Sequence, residues 1–182
     1  MIDQVGFQAQ IPVIKNNLLG ILLNDEILAR LLADTPDVTI PAYELRYTHV
    51  FPWEFTMGTT TDARAYITFE TAIHSRSEGG LSPTNPGAVD IDLYVYAFCH
   101  DSIMRIDDAV AGRLGFDDPN MRGSRVDLMC ARIDRLLNGC ELSSFGRFEF
   151  LEQQILNPVS TNYHGKCNIY NSLSANRWGR RL

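Results

Sequence analysis

The stretch Val89 to Cys99 alternates without a break, with Val89, Ile91, Leu93, Val95, Ala97 and Cys99 on one side and Asp90, Asp92, Tyr94, Tyr96 and Phe98 on the other. A period of two is that of a strand with one face in a core and one facing a wetter environment. Such a strand is stable only in a sheet whose apolar face is covered by a second layer. Ala63 to Ile73 repeats the pattern, with Ala63, Ala65, Ile67 and Phe69 set against Arg64, Tyr66, Thr68 and Glu70. Together the two segments predict a long antiparallel hairpin. Between them, Ser75 to Ala88 holds Gly79, Gly80, Pro83, Pro86 and Gly87 and almost no large apolar side chain, which predicts an exposed loop.

The covering layer is written at helical spacing. In Ile11 to Leu23, residues Ile14, Leu18, Ile21 and Leu22 share one face, and Pro12 falls in the first turn, where proline is tolerated. Asn24-Asp25 supplies capping chemistry for a second short helix, Glu26 to Leu32, with Pro36 as its stop. Ser124 stands three residues before Asp127, and Val126, Met129, Cys130, Ile133, Leu136 and Leu137 form a stripe that Asn138-Gly139 ends. Arg125, Asp127, Arg132, Asp134 and Arg135 lie off that stripe.

Val38 to Phe55, aromatic and broken by Pro41 and Pro52, reads as extended edge segments, and Met57 to Thr61 as a turn. Ile106 to Gly123 reads as an irregular excursion with one helical turn. Phe145 to Leu156 and Tyr163 to Tyr170, divided by a turn at Asn157-Pro158, predict a second hairpin. The expected fold is a single α+β domain over residues 1–173, its mainly antiparallel sheet built from two β-hairpins with amphipathic helices on one face. Residues 174–182 follow as an extended C-terminal arm. With 182 residues, 45% of them hydrophobic, the chain can bury a core without disulfides or a structural metal.

Acidic residues outnumber basic ones by 22 to 16, a formal charge of -6, which argues against a protein that coats nucleic acid. Apart from Lys15 and Lys166 the basic residues are all arginine, the side chain suited to planar, bidentate pairing at protein contacts. No apolar run approaches the roughly 18 residues that span a membrane. Cys99, Cys130, Cys140 and Cys167 show no CxxC spacing, and Met1 to Gln4 lacks the start of a secretion signal, so the cysteines are expected reduced and mostly buried.

Cys99-His100-Asp101 holds the parts of a thiol nucleophile site, but neighbours on a strand point to opposite faces and cannot act as a relay. A cytosolic thiol enzyme would instead use Cys99 or Cys140 with His100 or His164 brought near by folding. His49, His74, His100 and His164 are scattered singly, and Asp90 and Asp92 could hold a cation only with Asp101 or Asp107. Gly79-Gly80 lacks the following lysine and helix start of a phosphate loop. No metal and no cofactor is expected. The candidate partner-facing residues are Arg122, Arg125, Arg132 and Arg135 around the last helix, Gly79 and Gly80 in the loop, and Arg177, Trp178, Arg180 and Arg181 in the arm. Tryptophan and arginine are the types enriched in interface hot spots. A segment of this composition is either a frayed terminus or a clasp that a neighbour orders.

One set of segments carries a resemblance. They are Phe51-Pro52-Trp53-Glu54-Phe55, Thr59-Thr60-Thr61-Asp62 leading into Tyr66-Ile67-Thr68-Phe69, Ile91-Asp92-Leu93-Tyr94-Val95-Tyr96 ending in Cys99-His100, and Arg125-Val126-Asp127 opening Ile133-Asp134-Arg135-Leu136-Leu137-Asn138-Gly139. In their order and content, covering about half of the chain, they resemble the neck proteins of tailed bacteriophages, of the tail-terminator or tail-to-head joining type. The resemblance implies a non-enzymatic virion subunit, assembled in the host cytoplasm into a ring of six copies. Its partners would be itself, the tail tube protein and the head connector or stopper protein, with DNA passing through the channel without specific binding. The loop at 75–88 and the excursion at 106–123 depart from compact members of that family and leave open a head-completion, adaptor or stopper ring. An acidic channel would repel phosphate and let DNA slide.

Overall fold

A computed structural model describes residues 11–36, 40–53, 62–75, 89–142, 146–160 and 162–174. In chain order the helices are α1 (Ile11–Leu23), α2 (Glu26–Ala33), α3 (Ala42–Leu45), α4 (Asp108–Arg113) and α5 (Arg125–Leu137). The strands are β1 (Val50–Phe51), β2 (Ala65–Ser75), β3 (Val89–His100), β4 (Arg105–Ile106), β5 (Gly123–Ser124), β6 (Glu141–Leu142), β7 (Gly146–Ser160) and β8 (Tyr163–Ser174). Six of them form one sheet in the order β1-β2-β3-β8-β7-β6, and β4 and β5 pair separately. Both expected hairpins, β2-β3 and β7-β8, are present, and β3 pairs antiparallel with β8 to weld them together. Only β1 runs parallel to its neighbour, β2. The fold is the expected α+β arrangement.

The alternation in β3 sorts its side chains as the sequence requires. Ile91, Leu93, Val95, Ala97 and Cys99 are buried in one core with Leu18 and Leu22 of α1, Leu28, Leu31 and Leu32 of α2, and Met129 and Ile133 of α5. Each such large aliphatic side chain contributes about 1.5–3 kcal/mol by leaving water. Local chemistry sets the helix starts: the Asp25 carboxylate accepts from the Leu28 amide at 2.9 Å, and the Ser124 hydroxyl accepts from the Asp127 amide at 3.4 Å. Helix α2 ends at Asp34, which adopts φ 53 in the left-handed region, two residues before Pro36.

Three expectations are corrected. Val38 to Phe55 is not extended throughout: Ala42–Leu45 winds into a single helical turn after Pro41, and among the described residues of this stretch the strand is Val50–Phe51. Asn157-Pro158 does not end the strand, since β7 runs to Ser160 with a register shift between Leu156 and Ser160. Among the described residues, the outer side of β7 is covered by residues 138–142 only as far as Phe150, so near Pro158 a missing amide hydrogen costs little. The excursion at 106–123 is ordered by the β4-β5 ladder and by α4, which Asp107 caps at the Val110 amide, 3.1 Å. The turn at Met57–Thr61 and the loop at 76–88 lie outside the described residues.

A second cluster occupies the opposite face at one end of the sheet. Phe51, Tyr66, Phe98 and Tyr163 are buried against one another, with Tyr96 and Leu156 packed beside them. The ring of Phe98 lies over Gly165, its cross-strand partner.

Candidate subunit interface

The arginines expected to face a partner divide into two kinds. Arg125 is fully buried: its Nε donates to the Ile103 carbonyl at 2.8 Å, one Nη to the Leu31 carbonyl at 2.7 Å, and the other to Asp34 at 2.5 Å. It is a strut joining α2, α5 and the turn after β3, which corrects its assignment to a surface. Arg132 grips the Asp25 carboxylate with two bonds, 2.9 and 2.5 Å, and so locks α5 to the cap of α2. Arg122 holds the excursion, donating to Asp108 at 2.9 Å and to the Asp118 carbonyl at 2.9 Å. Arg135 alone of the four is exposed. Gly79, Gly80, Arg177, Trp178, Arg180 and Arg181 lie outside the described residues.

The groups weighed for chemistry are dispersed. Burial pushes the Cys99 thiol up to about 12, and Cys99 donates to the adjacent His100 carbonyl. Burial likewise raises Cys130 to about 12, Cys167 to about 11, and Cys140 in the same direction. A thiol nucleophile needs the opposite shift. His100 turns to Ser102, whose amide it accepts at 3.2 Å, and His164 pairs with Asp101 at 2.6 Å. Asp92 lies within β3 and Asp101 just past its end, nine positions on, roughly 30 Å at strand rise, too far to share an ion. Among the described residues no three potential metal ligands come together, and no helix is long and apolar enough to cross a membrane.

Unexplained side chains gather instead at the two lateral edges of the sheet. Beside β1, Tyr47 and Trp53 stack at 5.2 Å with an interplanar angle of 25°, and the Arg46 guanidinium lies 4.8 Å from the Tyr47 centroid. Both rings are exposed, Tyr47 at 48% and Trp53 at 42%, and Tyr47 takes φ 62, left-handed without being glycine. Outliers of this kind persist only where their surroundings hold them. Here the Tyr47 amide donates to the Val50 carbonyl at 3.0 Å, turning the chain back onto β1.

On the opposite flank the short β6 covers only the start of β7. A bulge at Leu151 leaves that side chain 58% exposed, and Ile155 stands 81% exposed. Ile155 forms the rim of a groove of about 380 Å³, walled by Met104, Val126 and Leu156 and flanked by Asp101 and Asp127. Asp127 pairs with Lys166 at 2.5 Å. Sequence reading missed both edges. The signal for the second was present, since the apolar positions Phe148, Phe150, Leu151, Ile155 and Leu156 slip out of phase at Leu151.

The two patches share a rung. Val50 pairs with Ile67, Ile67 with Ala97, Ala97 with Lys166, and Lys166 with Ile155. The rung ends at buried Val50, next to the aromatic patch, and at exposed Ile155, while Trp53 packs edge-on against Phe51 at 5.7 Å and so extends the second cluster.

Comparison with known proteins adds three findings. No curated protein matches the chain. Among solved structures it is similar to a chain in the virion of a native gene transfer agent particle, at 12% identity over 88% of this chain and 92% of that one, with a TM-score of 0.46. A family profile, YomW, matches residues 24–172, from the cap of α2 to near the end of β8. With both hairpins and α5 inside that match, the chain belongs to the YomW family, a phage-related one.

Proposed function

We propose that the protein is a structural subunit of a tailed-phage virion that assembles into a ring of roughly six copies in the neck, ends the tail tube and joins it to the head connector around a channel for DNA. The observation that carries this reading is the pair of unlike exposed patches at opposite edges of one sheet. A two-fold dimer needs one self-complementary surface, whereas a closed ring needs two different surfaces that fit each other. Membership of a phage-related family supports the virion setting, and the formal charge of -6 suits a conduit that must not hold DNA. The buried, raised thiols favour a mechanical role over thiol chemistry.

The test is the mass of the native particle across a concentration series, by light scattering or native mass spectrometry, followed by electron microscopy of the particle. A ring of roughly six copies with an open centre supports the reading. A strict monomer at every concentration overturns self-assembly of the chain alone. Cross-linking to the tail tube protein or to the connector then distinguishes a terminator from a stopper or adaptor.

A further inference from the structure

We infer that neighbouring copies join edge to edge through a knob and a groove: the Arg46–Tyr47–Trp53 stack beside β1 of one copy seats against Ile155 in the groove at β7 of the next. This rests on the ring reading and names the surfaces that close it.

Four observations carry it. The first is the rung that ends at Val50, beside the knob, and at Ile155, which sets the two surfaces level along the strand direction. The second is strand direction: β1 runs with β2 and β8 and against β3 and β7, so placing β7 beside the β1 of a second copy continues the antiparallel alternation. The third is shape and polarity. The knob is two stacked rings with an arginine over one of them, the residue types that dominate interface energetics, and the groove combines an apolar wall of Met104, Val126, Ile155 and Leu156 with Asp101 and Asp127 and their partners His164 and Lys166. Asp101 and Asp127 already pair with His164 and Lys166, but each keeps about half of its surface open, and Arg46 reaches Asn16 at 3.2 Å besides its ring contact. The fourth is accessibility: residues 138–142 bond the outer side of β7 from Gly146 to Phe150, and among the described residues none pairs with the outer side of the Leu151–Ile155 stretch. Because the Tyr47 amide already occupies the Val50 carbonyl, the contact is made by side chains and not by an added strand pair.

The experiment uses the full-length chain and two variants, Tyr47→Ala/Trp53→Ala and Ile155→Glu, each checked for native circular dichroism and melting. Both sites are exposed, so each variant should keep its fold. Each alone should raise the concentration for half-assembly at least about tenfold, the scale of one hot spot. An equimolar mixture should form dimers and stop there, because the intact knob of the Ile155→Glu chain fits the intact groove of the other variant while the remaining surfaces are spoiled. In a Trp178→Phe background, Trp53 emission should shift to the blue on assembly. Variants that assemble like the parent chain, or Trp53 emission unchanged in an assembled particle, overturn this inference and leave the ring standing. A parent chain that stays monomeric overturns both.

Discussion

Arg125 and Asp34, ninety-one positions apart, meet at 2.5 Å where α5 crosses the end of α2, and the guanidinium is almost wholly buried while the carboxylate stays about one-third exposed. The bond joins a helix near the start of the chain to one near the middle, with the Leu31 and Ile103 carbonyls taking the remaining donors. Arg125→Met should destabilise the fold by roughly 2–5 kcal/mol, because two carbonyls lose their partner and Asp34 is left with Arg113 alone. Urea denaturation of the two proteins measures it.

The same site sets a pH dependence. Burial pushes the Asp34 carboxyl up, but Arg113 and Arg125 outweigh it and hold it below the usual range. A carboxyl held low in the folded state stabilises above its unfolded value, near 3.9, and that contribution is lost as pH falls through the lowered folded value. The Asp34 contribution should therefore be level down to about pH 5 and decline below about pH 4. Asp34→Asn should flatten the decline, and melting temperatures across a pH series test it.

The cysteines offer a direct check on the mechanical reading. With Cys99 and Cys130 raised to about 12 and Cys167 to about 11, almost no thiolate is present at neutral pH in the folded chain. Alkylation at pH 7 should be slow at all three and become fast only in denaturant, with half-buried Cys140 reacting first among the four. Rapid modification of Cys99 in the native protein would revive thiol chemistry.

Gly165 is required by its neighbour. A Cβ built there would sit 2.7 Å from Cε1 of Phe98 and 3.1 Å from the Ala97 carbonyl oxygen. Gly165→Ala should cost about 1–3 kcal/mol by overpacking. Combining it with Phe98→Leu should recover part of the loss, a non-additivity that a double-mutant cycle reads.

The C-terminal residues carry a separate expectation. Deleting Asn176 to Leu182 should weaken assembly while leaving melting unchanged, if Arg177, Trp178, Arg180 and Arg181 clasp a neighbour. Unaltered assembly after the deletion would remove the arm from the interface.

Much of this fold is visible in local patterns because the forces that set it are local. The alternation of β2 and β3 and the caps at Asp25 and Ser124 depend on residues within a turn of one another. Arg125 escapes because nothing near it in sequence distinguishes it from the solvent-facing Arg135; its partners are supplied by α2 and by the turn after β3. The Asn157-Pro158 signal misleads because an edge strand absorbs a proline that a central strand would reject. The Tyr47–Trp53 stack and the Ile155 groove are properties of the assembled sheet: each becomes a surface only when β1 and β7 take its opposite flanks.

That strand order has a temporal side. β8, latest of the eight strands to be synthesised, is not at a margin but between β3 and β7, so the sheet stays in two unjoined pieces until translation has passed Ser174. The groove beside Ile155 is walled partly by residues of the β8 hairpin and cannot exist before then. On the contact inferred above, a nascent chain short of β8 would offer neighbours the aromatic patch without a recess to receive it, and polysomes crowded with such copies would be kept from linking.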